Sequence, residues 1–131
     1  MKVYVDTCIY LDYIQKRNDK LRPLGDFAFE FFSRGWNCKF KLVFSNLNLE
    51  ELEFNLSNKE YEEILEEFKS LGKLIEVKYS EEEFQESRKD THKNDKLHTL
   101  IAEREGCKYL VTRNISDFNS STLEIVYPEY V

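Results

Sequence analysis

Carboxylate and hydroxyl side chains follow several apolar segments of this 131-residue sequence, in positions where they could act together. In chain order these residues are Asp6 and Thr7, Ser45, Glu50 and Glu51, Asp95, and Thr112, Arg113, Asn114 and Asp117. If the apolar segments are parallel strands, their carboxyl ends meet at one edge of a sheet, where ligands bind in such folds. We therefore expect carboxylates from distant parts of the chain to converge at that edge.

The chemistry of such a cluster follows from its charge. Carboxylates that converge repel one another, and their pKa values rise unless a cation neutralises them. Oxygen ligands without His or Cys favour hard ions such as Mg²⁺ or Mn²⁺, which bind a phosphodiester and activate water for in-line attack. Taken singly, Asp6, Ser45 and Asp95 are each typical of a helix N-cap, so only their joint placement favours a metal site. His98 is predicted to pack or to support a ligand rather than to bind the ion.

The elements that must position these residues alternate along the chain. Strands are predicted at Lys2–Val5, 40–44, Leu74–Val77, 108–111 and 123–126. The first predicted helix begins after Thr7 and ends within residues 16–20, and the second runs from Pro23 to near Gly35. Further helices are predicted after Ser45, from Asn58 to Gly72, after Ser80, and from about 94 to 105. This alternation indicates a three-layer α/β fold with a mainly parallel sheet of four to five strands. Because the sequence has no repeat or linker, we expect one domain over residues 1–131.

The composition excludes several classes of protein. Scarce Gly and Pro together with 41% apolar residues argue against collagen-like and disordered chains. No apolar run approaches the ~20 residues of a membrane span, and no signal-peptide pattern is present. The widely separated Cys8, Cys38 and Cys107 indicate reduced thiols rather than a disulfide framework or a zinc site. We therefore expect a cytoplasmic protein without membrane contact.

Four segments resemble the motifs of the PIN-domain ribonucleases, in the same order and over nearly the whole chain. They are VYVDTCIYL at 3–11, SNLNLEEL at 45–52, NDKLHTLIA at 94–102 and GCKYLVTRN at 106–114, closing with Asp117 and Phe118. The last two segments, separated by one helix and one strand, are the more specific pair. The resemblance implies a PIN-like fold and cleavage of RNA with Mg²⁺ or Mn²⁺. Many members of the family are VapC-type toxins held inactive by a small antitoxin.

The resemblance also implies which residues perform the reaction. Asp6, Glu51 and Asp95 correspond to the acidic positions that hold the metal ion in the family. Glu50 is a register alternative to Glu51, but the six-residue spacing from Ser45 favours Glu51. The expected metal ligands are therefore Asp6, Glu51 and Asp95.

The fourth catalytic position departs from the family pattern. It is often Asp in the family, whereas this sequence has Asn114. The amide oxygen can still bind a metal-bound water, but the site loses one negative charge. Whether the site holds one metal ion or two therefore depends on Asp117, the nearby carboxylate that can substitute.

The distribution of charge bears on whether RNA is the substrate. The formal net charge of −6 disfavours a general nucleic-acid coat, because counterion release rewards clustered positive charge. Phosphates need cations beside the cut, however, and basic residues bracket Asp95. The predicted RNA contacts are Thr7, Ser45, Lys93, Lys96, Thr112 and Arg113. A solvated charge run before a helix is an equally good interpretation of the lysines.

Three functions remain open. The first is a metal-dependent ribonuclease, most simply the toxin of a toxin–antitoxin pair. The second is a PIN fold that lacks cleavage and works as a binding module, which Asn114 favours, or an RNA-processing nuclease without an antitoxin. The third is a signalling receiver domain, which needs an acidic pair after its first strand and a Lys after its last. Thr7 follows Asp6 and Tyr127 follows the last strand, so the third function is disfavoured.

Two aromatic residues suggest a surface for a partner. On a helical wheel, Phe29 and Trp36 fall together on a flank away from the apolar stripe of their helix. Exposed aromatics supply much of the energy at protein interfaces, so this flank predicts a homodimer or antitoxin contact. The alternative is that the segment after residue 34 folds back and buries Trp36 in the same domain.

Overall fold

The sheet is the frame of the molecule. In residues 1–18 and 22–131, which the computed structural model describes, five strands form one sheet with parallel neighbours throughout. The strands are β1 Lys2–Val5, β2 Lys41–Ser45, β3 Leu74–Val77, β4 Tyr109–Val111 and β5 Glu124–Val126. The helices are α1 Thr7–Ile14, α2 Leu24–Arg34, α3 Asn46–Asn55, α4 Tyr61–Ser70, α5 Glu81–Ser87 and α6 Lys93–Arg104. This arrangement confirms the α/β fold and the parallel sheet that the sequence predicts.

The strand order β3-β2-β1-β4-β5 makes β1 the central strand. The chain first adds strands on one side of β1 and then crosses to add β4 and β5 on the other, so the order reverses between β1 and β4. Val5 pairs with Val111 there, and the two strands end side by side. Such a switch point opens a crevice for a ligand. The order also differs from the 2-1-3-4-5 order of receiver domains, which argues against that function.

Two hydrophobic cores cover the two faces of the sheet, because side chains alternate along each strand. Val3 and Val5 point into a core formed with α1, α2 and α4, whereas Tyr4 points into a second core with α6. The first core is rich in aromatic rings, among them Phe31, Phe32, Phe40 and Phe68. The molecule therefore has the three layers that the sequence predicts.

Most predicted boundaries lie within a few residues of the observed ones. Gly72 and Gly106, at φ of 68° and 69°, follow α4 and α6 in the left-handed conformation that Gly adopts readily. The predicted fading of the first helix extends to Asp19 and Lys20, which lie outside the described residues. Among the described helices, none combines the length and the apolar character needed to cross a membrane. Cys8 and Cys107 are free thiols, and the side chain of Cys38 is not described.

Gly35 has a different role from the helix stop that the sequence predicts. Its backbone is helical, with φ −61° and ψ −46°, and the chain continues through a wide π-helical turn, Gly35–Lys39. A Cβ atom at this position would lie 2.6 Å from the ring tips of Phe40 and Phe68. Gly35 is therefore required by close packing of aromatic rings against the backbone.

The same turn carries Trp36 back onto the core. Its ring is half-buried, with centroids 6.5 Å from Phe32 and 6.1 Å from Phe68. The prediction of a shared exposed flank is therefore wrong for Trp36, because the π-helical turn changes the direction of the chain after Gly35. Phe29 does lie at the surface, with 52% of its area exposed.

We expect Gly35→Ala to destabilise the protein by about 1–3 kcal/mol, because the added methyl group overpacks a full core. Helix propensity alone predicts the opposite sign, since Ala is favoured over Gly inside helices. Urea unfolding of both proteins measures the difference. Glu30→Ala, at an exposed position of the same helix, is the control and should change stability by less than about 0.5 kcal/mol. A stabilised Gly35→Ala variant would contradict the packing explanation.

Candidate active site

Asp6 lies directly after β1, at the switch point of the sheet. Within the described part of the chain its side chain makes no capping bond to α1. Instead, Oδ2 accepts a hydrogen bond from Thr112 Oγ1 at 2.8 Å and one from Cys8 Sγ at 3.2 Å. The N–H of Asp6 donates to the carbonyl of Val111 at 2.9 Å. Thr112, directly after β4, therefore orients the Asp6 carboxylate. Asp6 occupies the N-cap position of α1, but its side chain bonds to Thr112 and Cys8 instead of capping the helix.

Glu51 reaches the same place from α3. Its Oε1 accepts from Thr7 Oγ1 at 2.6 Å and lies 2.7 Å from His98 Nε2, and its Oε2 accepts from Asn94 Nδ2 at 3.1 Å. Burial raises the pKa of Glu51, but hydrogen bonds from His98, Thr7 and Asn94, with the positive charge of His98, outweigh burial and lower it. Glu50 instead accepts from Tyr79 OH at 2.8 Å on the surface. Of the two register alternatives, Glu51 is the one beside Asp6.

A buried chain of hydrogen bonds supports Glu51. His98 is 1% exposed, and its Nδ1 lies 2.5 Å from the hydroxyl of Tyr4, which in turn lies 2.7 Å from Ser45 Oγ. Burial lowers the pKa of His98, but the hydrogen bond to Glu51 and the charges of Asp6 and Glu51 raise it overall. His98 is thus a supporting group whose two ring nitrogens are both occupied.

Sequence reasoning missed two members of this network. Tyr4 looks like an ordinary apolar residue of β1, and Asn48 looks like a surface residue of α3. Asn48 is fully buried; it completes a capping box with Ser45 and donates to Thr7 Oγ1 at 3.0 Å. The one signal available in the sequence was the spacing of Asn48, three residues after a capping Ser.

Asp95 approaches the cluster from the first turn of α6. Burial, followed by the negative charges of Asp6 and Asp117, raises its pKa to about 6, although His98 and His92 partly oppose this. Its carboxylate lies 3.9 Å from His92 Nδ1 and lines a cleft of about 230 Å³ with Lys96 and Asp117. The negative charge at this edge of the sheet is therefore only partly neutralised by the protein.

Asn114 lies two residues after Thr112, the residue that orients Asp6. Its N–H donates to Thr112 Oγ1 at 3.0 Å, and its carbonyl accepts from the N–H of Asp117. The cleft that contains Asp95 is lined by Asp117 and not by Asn114. Asp117 is therefore the carboxylate of the fourth segment that interacts with Asp95.

The residues predicted to contact RNA divide into two groups. Thr7, Ser45 and Thr112 are at most 4% exposed and hydrogen-bond to protein groups, so their positions suit them to orient the site rather than to touch a substrate. Lys93 is exposed at the start of α6, and Lys96 is half-buried at the cleft. Arg113 is committed elsewhere: its Nε lies 3.1 Å from Oδ2 of the buried Asp12.

The grouping of acids and imidazole has the dimensions of an ion site. One ligand atom from each of Asp6, Glu51 and His98 lies within 4.8 Å of the other two. His98 Nε2 is 3.8 Å from Asp6 Oδ1. Because His98 already contacts Glu51, the carboxylate oxygens are the donors that remain for a cation. This donor set is the one that Mg²⁺ and Mn²⁺ prefer.

We expect Asp95→Asn to stabilise the metal-free protein at pH 8 and to lose this effect as the pH falls toward 4. The folded pKa of about 6 exceeds the unfolded value near 3.9, so wild-type stability decreases as the pH rises through this interval. The Asn variant has no such charge. Its Tm in EDTA should exceed that of wild type by roughly 2–5 °C at pH 8, equivalent to about 1 kcal/mol after allowance for partial exposure. The control is Asp26→Asn, at an exposed position of α2, whose Tm difference from wild type should not depend on pH in this way. An increase in Tm for Asp95→Asn that is equal at pH 8 and pH 4 would contradict this explanation.

Comparison with known proteins shows which solved structure the fold is similar to. No family model and no curated protein matches the sequence. The chain is similar to a chain in the crystal structure of VapBC2 from Rickettsia felis bound to a DNA fragment from their promoter. The TM-score is 0.61 at 21% identity, and the alignment covers 95% of this chain and 97% of that one. The likeness confirms the PIN-like α/β fold.

Proposed function

We propose that this protein is a metal-dependent ribonuclease that hydrolyses RNA phosphodiester bonds, and that it is the toxin of a toxin–antitoxin pair. The observation that carries the proposal is the cluster of Asp6, Glu51 and His98, whose ligand atoms lie within 4.8 Å of one another at the switch point of a PIN-like sheet, with Asp95 near enough for the charge of Asp6 to raise its pKa. The raised pKa of Asp95 supports it, since the protein leaves negative charge there for a cation to neutralise. A structural neighbour from a VapBC2 complex supports the toxin–antitoxin role.

The residues present fit a divalent ion, and Asp6, Glu51 and Asp95 would hold it. When bound, the ion polarises the phosphodiester and lowers the pKa of a water molecule that attacks it. Thr112 orients Asp6, whereas Thr7, His98 and Asn94 orient Glu51. Such supporting hydrogen bonds fix the direction of the ligand oxygens and exclude other rotamers.

The protein also contributes the environment of the substrate. Lys93 and Lys96 lie at the start of α6, on the same turn as Asp95, where they would attract the phosphates next to the cut. Asn114 adds no charge, so a second ion would depend on Asp117. The weaker charge at this position is also the observation that favours the second candidate function, a PIN fold that binds RNA without cleaving it.

Cleavage of RNA tests the proposal. We expect the purified protein to cut RNA with Mg²⁺ or Mn²⁺, and EDTA to stop the reaction. Asp6→Asn should reduce the rate by more than about 100-fold, because loss of a metal ligand exceeds the 10–100-fold effect of losing a supporting residue. End-labelled RNA resolved on a denaturing gel measures both effects.

Asp26→Asn, far from the switch point in sequence, is the matched control and should cut at the wild-type rate. Full activity of Asp6→Asn would exclude the assigned site, and activity that persists in EDTA would exclude the metal. Binding of RNA without cleavage under all of these conditions would favour the binding module.

A partner surface is proposed around Phe29. Its ring stacks on Tyr13 with centroids 6.0 Å apart, and both rings line a groove of about 450 Å³ that Ile14 and Gly25 also border. Charged residues surround these rings, namely Lys16, Asp26, Glu60 and Glu63. An aromatic centre with a charged rim is typical of protein interfaces. We propose that this groove binds an antitoxin or a second copy of the chain.

Phe29→Ser should weaken the association by about 30-fold or more, as expected for loss of an aromatic hot spot. Sedimentation velocity over a range of concentrations measures self-association, and co-purification with any small protein encoded beside the gene measures antitoxin binding. Tyr130→Ser, at a residue that is 72% exposed, is the control. If the Phe29→Ser protein self-associates and binds the antitoxin as strongly as the wild type does, the interface lies elsewhere.

A further inference from the structure

Phe54 is the most exposed large apolar residue among those that the structure describes. It lies in the last turns of α3, and 91% of its side chain is accessible. So exposed a Phe forgoes the free energy of burying its ring. Its position is informative, because Phe54 follows Glu51 by three residues and therefore lies on the same side of the helix.

Phe54 and Glu51 form two parts of one cleft. The cleft has a volume of about 310 Å³ and is bordered by Glu51, Phe54, Asn55 and Asn94, with Leu47 and Glu50. Glu51 thus belongs both to the carboxylate cluster and to this cleft, so the cleft extends directly from the proposed site of cleavage. Phe54 and Asn94 line this cleft together with Glu51.

Hydrogen-bonding side chains and positively charged side chains lie near the cleft that Phe54 lines. Asn94 donates to Glu51 Oε2 at 3.1 Å, and its Oδ1 accepts from Arg88 Nη2 at 3.0 Å. A guanidinium therefore lies at the edge of the cleft, and Lys93 is exposed beside it. Glu50, the other carboxylate at the cleft, is hydrogen-bonded to the hydroxyl of Tyr79.

We infer that this cleft binds an unpaired nucleotide next to the phosphodiester that is cleaved, with its base stacked on Phe54. The inference rests on the proposed function, because it takes Glu51 as part of the cleavage site. An aromatic ring with neighbouring amides and a cation matches the three parts of a single-stranded nucleotide: a flat base, its polar edge and a phosphate. A duplex hides the faces of its bases, so the substrate class is single-stranded RNA.

Binding to a short RNA tests this inference. The probe is a fluorescein-labelled single-stranded RNA of about 12 nucleotides, and all variants carry Asp6→Asn so that the probe stays intact. Phe54→Ala should weaken binding by about 5- to 100-fold, the range measured for the loss of one stacked base. Tyr130→Ala, which truncates another exposed aromatic ring that is 72% accessible, should leave RNA binding unchanged. Both truncations remove exposed side chains, and circular dichroism checks that the proteins remain folded.

A second variant detects stacking directly. Phe54→Trp should bind RNA as well as the Phe54 protein, and its added tryptophan emission should be quenched by single-stranded RNA more than by a duplex of the same sequence. The parent protein, which contains only Trp36, reports the background. Equal RNA binding by the Phe54→Ala and Tyr130→Ala proteins, or failure of the parent to bind the probe, overturns the inference.

The outcomes separate this inference from the proposed function. If the wild-type chain cleaves RNA and Phe54→Ala binds RNA normally, the proposed ribonuclease activity is supported and the stacking site is contradicted. Base stacking on residue 54 in a chain that never cleaves RNA would support the stacking site and contradict the proposed ribonuclease activity. Loss of a protein partner, but not of RNA, on truncation of Phe54 would assign the ring to a protein contact and overturn the inference.

Discussion

The hydrogen bond between Glu51 and His98 is the interaction on which the arrangement of the site depends. At 2.7 Å it joins α3 to α6, and the opposite nitrogen of the same imidazole contacts Tyr4 in the central strand. Three elements that are distant in sequence are thus held by one buried ring. Loss of that ring would remove one hydrogen-bond partner from Glu51 and one from the buried hydroxyl of Tyr4, and leaving such groups under-satisfied costs more free energy than the hydrogen bonds contribute.

The protein stabilises its carboxylates unequally. Among the described residues, Glu51 accepts hydrogen bonds from three donors and Asp6 from two, whereas Asp95 has a pKa raised to about 6 and shares its cleft with a fourth acid, Asp117. Partial neutralisation leaves an affinity for a cation that complete neutralisation would remove. It also lowers the stability of the metal-free protein above pH 6, which is the usual cost of a site built for function.

The fold brings these groups together through topology and packing. Because β1 is central, the residues that follow β1 and β4 meet at the switch point, and Asp6 can accept a hydrogen bond from Thr112 across 106 positions of sequence. On one side of the sheet, the aromatic core holds α1 and α2 in place, and the absence of a side chain at Gly35 lets the rings of Phe40 and Phe68 pack against the backbone. A rigid core of this kind keeps the ligand side chains in fixed positions.

The sequence by itself determined how strands and helices alternate along the chain, because apolar periodicity and helix caps are local patterns. It also predicted that the acids would meet at the edge of the sheet where the strands end. The resemblance to PIN-domain ribonucleases also predicted Asp6, Glu51 and Asp95 as metal ligands, and this assignment stays a prediction. Only the tertiary structure decided between Glu50 and Glu51 and exposed the roles of Tyr4 and Asn48, because these depend on which side chains meet across the sheet. It likewise placed the half-buried ring of Trp36 against the core and paired Arg113 with Asp12. Pairings of this kind arise from the direction of each side chain in three dimensions, which spacing along the chain does not contain.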